Sequence, residues 1–156
     1  MKTIRDIMIA APKTLPEDAT VGDAIAIFSK TGYGCLPIVN AGGQLTAFLS
    51  DGDIISFLSH RLKRSEYEAA MLHQKGDRTQ ADEKVLAELA ESPVAICATH
   101  RVASISVDAS LEKAASLMDD KLLKHLPVVD ADDRIVGLLS RKDLTLSLFD
   151  DYVARK

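Results

Sequence analysis

Apolar residues recur at helical spacing over Val21, Ala24, Ile25 and Phe28, and ninety residues later over Leu111, Ala114, Ala115 and Met118. Each set lines one face of a helix, so both stripes read as core. Thr20 and Ser110 precede them with oxygens that can accept from an orphaned first-turn amide, which fixes the helix starts. Asp23 and Glu112 add acid where the helix dipole favours it. The period then shortens. Residues 35–39 and 125–129 are brief apolar runs, each broken by a Pro that restricts it to a sheet edge or strand start. Turn formers follow at 40–43 and 130–133, then return strands at 45–49 and 135–139. Closing helices are predicted over about 51–61 and 141–149. Ahead of each helical stripe lie a short apolar stretch (4–8 and 94–98) and a brief strand (13–15 and 103–105). The order strand, helix, strand, strand, helix therefore occurs twice, and predicts an α/β (α+β) fold.

Sliding residues 4–58 onto 94–148 needs no gap and gives 11 identities in 55 positions. Leu36-Pro37-Ile38-Val39 falls on Leu126-Pro127-Val128-Val129, and Leu49-Ser50-Asp51-Gly52-Asp53 on Leu139-Ser140-Arg141-Lys142-Asp143. A repeat of this kind is one structural unit used twice. Two copies burying a shared face with pseudo-two-fold symmetry would leave two related clefts at their seam. The expected divisions are a first motif over 1–58, a connector over 59–93, a second motif over 94–149 and a tail over 150–156. The connector begins basic (His60, Arg61, Lys63, Arg64), carries a helical stripe at Val85, Leu86 and Leu89, and is predicted helical with a break at Gly76. Its basic start reads as a solvated helix face, with anion or partner binding as the second reading.

Composition narrows the class. Of 156 residues, 47% are hydrophobic and 27% charged, with a formal net charge of -4. That supports a packed interior and argues against disorder and against nucleic-acid binding. No apolar run reaches the ~20 residues that span a bilayer, and the first residues do not read as a signal peptide. The expectation is a cytoplasmic protein without membrane insertion. Cys35 and Cys97 occupy unrelated repeat positions and have no metal-site spacing; Cys97 reads as a small buried hydrophobe.

The residues with chemistry to offer are Ser50-x-x-Asp53 and Ser140-x-x-Asp143, at the junction of last strand and last helix. One reading is a capping box. The other is a ligand site, in which helix-start amides suit a phosphate and the carboxylate accepts from paired hydroxyls such as a ribose presents. Both can hold together. No nucleophile and base, metal cluster or G-x-x-x-x-G-K phosphate loop is assembled, so an enzyme is not expected.

With both copies in register, the chain resembles a CBS-domain pair, or Bateman module. The matching features are Thr14 and Ser104, the two Pro strands, and the closing runs Ala47-Phe48-Leu49-Ser50-Asp51-Gly52-Asp53 and Gly137-Leu138-Leu139-Ser140-Arg141-Lys142-Asp143. The resemblance implies a regulatory module, usually attached to an enzyme, transporter or channel and expected here to stand alone because 156 residues leave no room for a catalytic domain, that binds AMP, ADP, ATP or S-adenosylmethionine in clefts between the motifs. It would modulate an unknown protein partner or its own assembly, as a homodimer, with no required cofactor and no metal. By the same resemblance Asp53 and Asp143 hold ribose hydroxyls. Ser50, Ser140, Thr14 and Ser104 line the sugar and phosphate region, and Ile38 and Val128 flank the base. Ala47 departs from the family's Gly, which would narrow a ligand's approach to that backbone. Lys121, Lys124, His125, Arg141 and Lys142 are peculiar to copy two, so a phosphorylated ligand is expected to prefer the Ser140/Asp143 site. The Asp53 site would then be empty, weaker, or suited to a less charged ligand. The competing function is a ligand-independent oligomerisation or interaction module.

Overall fold

A computed structural model describes residues 2–74, 76 and 78–156 of the chain. The first copy runs α1 (Ile4–Ile7), β1 (Ile9–Ala10), β2 (Leu15–Pro16), α2 (Val21–Thr31), β3 (Cys35–Val39), β4 (Leu45–Ser50) and α3 (Asp51–Met71). Helix α4 (Arg78–Glu91) and a 3-10 turn at Val94–Ile96 lead to β5 (Ile105–Ser106), α5 (Leu111–Asp120), β6 (His125–Val129), β7 (Ile135–Ser140), α6 (Arg141–Leu148) and α7 (Asp150–Val153). The fold is α+β with two sheets, ordered β2-β3-β4 and β1-β7-β6-β5. Gly76 lies between α3 and α4, as the pattern predicts; Lys75 and Asp77 beside it lie outside the described residues.

The chain forms two compact units, and they do not follow the copies cleanly. One comprises Leu15–Ile38 and Ala47–His100. Its core holds Leu15, Val21, Ala24, Leu36, Ile38, Ala47, Leu49 and Ile54, together with Leu89 and Val94 from beyond the first copy. The other comprises the N-terminal segment through Thr14, the hairpin tip Val39–Thr46, and Arg101–Lys156. Its core gathers Ile105, Leu111, Ala114, Met118, Leu126, Val128, Leu139 and Leu144 around Ile4 of the first copy. Strand β1 explains the exchange. It pairs antiparallel with β7, Ile9 opposite Leu138 and Ala10 opposite Gly137. The equivalent step in the first unit is the bridge Phe48–Thr99, with N–H···O bonds of 2.9 and 2.8 Å.

Four local expectations are revised. The brief strands start later than predicted, at Leu15 and Ile105, so Thr14 and Ser104 stand just before them. Helix α3 runs unbroken across residue 58 to Met71. Pro37 and Pro127 sit inside β3 and β6, which are interior strands of their sheets. The two-residue β5 pairs only Val128 and Val129 of β6, so it asks nothing of the Pro127 nitrogen. Cys97 is half-buried and Cys35 is the buried thiol. Burial, with Asp51 adding to it, pushes the Cys35 thiol up to about 12.

The N-caps agree with the sequence pattern. Asp23 N–H donates to Thr20 Oγ1 at 3.1 Å, and Lys113 N–H to Ser110 Oγ at 3.2 Å. The opposite helix ends differ chemically. Gly32 caps α2 at φ 73°, whereas its repeat equivalent Leu122 holds φ 53° with a side chain 84% exposed. A left-handed leucine costs about 1–2 kcal/mol, partly offset by the extra unfolded-state freedom of Gly. Leu122→Gly is therefore expected to raise the unfolding free energy by about 0.5–1 kcal/mol. Denaturant midpoints would register this, and a loss of stability would show that Leu122 packs usefully.

Candidate ligand-binding site

Strand β4 ends on Ser50 and α3 starts at once, leaving the first-turn amides at the strand's end. Asp53 N–H donates to Ser50 Oγ at 3.1 Å, and Ser50 N–H donates to Asp53 Oδ2 at 2.9 Å. The capping box is therefore real, but it engages one carboxylate oxygen. Oδ1 accepts no hydrogen bond among the described residues. In the other unit, Asp143 N–H again donates to Ser140 Oγ, at 2.9 Å. Here the carboxylate takes its bond from the Ser140 hydroxyl, 2.7 Å to Oδ2, and the backbone amide does not close the box. Both carboxylates are half-buried, and each keeps an oxygen for a hydroxyl donor.

The surroundings differ. Arg141 N–H donates to Lys124 O at 2.9 Å, which brings Lys124 beside the start of α6. Lys121, Lys124, Arg141 and Lys142 are exposed and make no ion pair among the described residues. At the same step of the first copy, Asp51 N–H donates to Gly34 O at 2.7 Å, so a carboxylate stands where copy two has guanidinium. Thr14 and Ser104 are half-buried immediately ahead of β2 and β5. Ile38 and Val128 are 2% and 0% exposed and belong to the two cores, so their side chains are not open faces for a base.

The Gly137/Ala47 difference also has an internal cause. A Cβ on Gly137 would come within 2.2 Å of Met8 Sδ. Met8 is replaced by Ala98 in the other unit, where Ala47 is buried beside it in one core cluster. The small residue makes room for the chain's own crossing segment, and Ala47 is no guide to ligand approach.

Beside Asp53 the structure adds a groove that the repeat overlay did not predict. It has a volume of about 380 Å³ and is lined by Asp53, Ser56, Phe57, His60, Arg61 and Arg64 of α3 and by Ile96 and Cys97. The size is that of a small-molecule pocket. Burial and the Asp53 carboxylate both raise the Cys97 thiol, in that order, so the sulfur is a neutral wall here. In the sequence Arg61 and Arg64 belong to the basic start of the connector, whose first reading is a solvated helix face and whose second is anion or partner binding. The available signal was helical spacing, since 53, 56/57, 60/61 and 64 share one stripe of α3. Among the described residues no group of three or more His, Cys, Asp or Glu could hold a metal.

The CBS domain model matches residues 4–60 and 94–150. The chain belongs to the CBS-domain family. It is a tandem CBS pair, and such pairs are generally regulatory, nucleotide-sensing modules. It is 27% identical to the uncharacterized protein MJ1426 of Methanocaldococcus jannaschii over 155 residues, covering 93% of this chain and 90% of that one. It is 24% identical to a homoserine O-acetyltransferase of Methanohalobium evestigatum, where the match covers 91% of this chain but 23% of the enzyme. The similarity thus spans about a quarter of that enzyme's length. The fold is similar to CBSX2 in complex with AMP, with a TM-score of 0.72 at 21% identity, covering 97% of this CBS pair and 99% of that chain. CBSX2 from Arabidopsis thaliana gives a TM-score of 0.73 at the same identity, covering 99% and 97%. No helix of the described residues is long and apolar enough to cross a membrane.

Proposed function

We propose that this CBS pair is a regulatory sensor of an adenine nucleotide or adenosyl compound. AMP, ADP, ATP and S-adenosylmethionine are the candidates, bound at the strand–helix junctions of Ser50/Asp53 and Ser140/Asp143. The observation that carries the reading is the half-capped carboxylate: at each junction one Asp oxygen is occupied and the other is left for a sugar hydroxyl. The AMP complex of CBSX2 adds support by likeness of fold. At the second junction Lys124, Arg141 and Lys142, which make no ion pair among the described residues, supply the charge that a phosphate needs. Thr14, Ser104 and Lys121 are assigned to sugar and phosphate contacts on the same reading. Occupancy acts by population shift, so the ligand must bind one arrangement of the protein more tightly than another. The output is a change in a protein partner or in the protein's own association. A homodimer through the exposed Leu146, Leu148 and Phe149 would serve, whereas Leu144 is core.

Calorimetric titration with the four candidates tests this, beside Asp143→Asn, which keeps an oxygen for the Ser140 hydroxyl but loses the charge. A hydrogen bond to a charged group contributes about 1.5–3 kcal/mol, so the variant is expected to bind roughly 10–100-fold more weakly. Equal affinities would remove Asp143 from the site. No heat from any candidate, with association intact, would favour the ligand-independent interaction module instead.

A further inference from the structure

The groove along α3 differs from the Ser140/Asp143 junction in where its cations stand. Around Asp143 they are adjacent in sequence, at Arg141 and Lys142, within the first turn of α6. Around Asp53 they come eight and eleven residues later, at Arg61 and Arg64, and line the same groove as the carboxylate. At 1.5 Å per residue those steps are about 12 and 16 Å along the helix axis. One end of the groove thus offers a hydroxyl acceptor and the other a pair of phosphate forks. His60 lines the same groove. Its Nδ1–H donates to Ser56 O at 2.7 Å, which fixes the ring against α3.

We infer that the Asp53 groove takes an adenosine polyphosphate, with Arg61 and Arg64 recognising the phosphates beyond the first. The Asp143 junction, with its cations close to the sugar position, suits a monophosphate. This reverses the ranking expected from the repeat overlay, in which the Asp53 site was the less charged one. The inference rests on the sensor reading above and assigns ligand class within it. Each arginine now has an acidic partner: Arg61 with Glu88 at 3.4 Å and Arg64 with Glu68 at 2.9 Å, all four exposed. Such pairs contribute little in water, so a polyphosphate can displace them.

The test compares AMP, ATP and inorganic tripolyphosphate by calorimetry on the full chain, in wild type, Arg61→Ala/Arg64→Ala and Glu68→Gln/Glu88→Gln. In wild type, one site is expected to bind ATP about tenfold more tightly than AMP, and tripolyphosphate to compete with ATP there. The arginine variant should lose the ATP advantage and keep its AMP affinity. The glutamine variant should bind ATP more tightly than wild type, a gain that damaged folding cannot produce. Nucleotide binding with an unchanged ATP-to-AMP ratio in the arginine variant would overturn the inference and leave the sensor reading standing. Tripolyphosphate binding without any adenosyl binding would overturn both the sensor reading and the assignment of an adenosine polyphosphate to the groove. Silence from all three ligands would overturn both.

Discussion

Ile4→Ala is expected to cost about 2–5 kcal/mol, as deletion of a buried Ile side chain does. The damage should fall in the core built mainly by the second copy. Ile4 is 0% exposed and sits with Leu126, Val128 and Leu139, more than a hundred residues away in sequence. It is tied down by α1, whose start is held by Asp6. The Asp6 carboxylate accepts from Thr3 N–H at 2.7 Å and Thr3 Oγ1 at 2.8 Å, and these bonds hold its pKa below the ordinary carboxylate value. Chemical denaturation gives the energy, and methyl NMR gives the location. Shifts concentrated at Leu126, Val128 and Leu139 are the expected result. Shifts concentrated at Leu36 and Leu49 would contradict the assignment of α1 to that core. The mirror substitution, Val94→Ala, should report on Leu36 and Leu49, because Val94 belongs to the other cluster.

This exchange of segments is the part of the fold that periodicity could not show. The stripe Val21, Ala24 and the stripe Leu111, Ala114, Met118 were legible because helical burial repeats in sequence. The caps Thr20, Ser110, Ser50 and Ser140 were legible because an orphaned amide needs a local oxygen. Strand β1 was not. Two residues make no period, and its partner β7 lies more than a hundred positions downstream. The Pro strands misled for a related reason: whether a missing N–H matters depends on how far the neighbouring strand extends, and β5 stops short of Pro127.

The candidate site divides along the same line. Ser50/Asp53 and Ser140/Asp143 are local geometry, and the overlay placed them at helix starts. Ile38 and Val128 follow from resemblance alone, because alternation along a strand cannot say which apolar face meets solvent when both are apolar. The Arg61/Arg64 groove was missed because the repeat ends where its cations begin. Helix α3 does not end there, and its stripe continues from Asp53 through Arg64 past the limit of the overlay.

Gly137→Ala is the second large expected effect, about 1–3 kcal/mol from overpacking, and Met8→Ala should relieve it. The added Cβ would lie 2.2 Å from Met8 Sδ, 2.9 Å from Cγ and 3.2 Å from Cβ. The sulfur and Cγ can swing by side-chain rotation, since Met is adaptable, but Cβ can move only with the backbone of the crossing segment. In the double variant no long side chain remains to collide. The coupling between the two sites should be about 1–2 kcal/mol in a double-mutant cycle, with the sign that makes the pair less harmful than the sum. The protein already contains this pair in its other half, where Ala98 and Ala47 stand at the equivalent positions of one core cluster. Thermal or denaturant unfolding of the four proteins measures it. Strict additivity would mean that Met8 does not rest on Gly137, and the account of why copy two keeps Gly would fail with it.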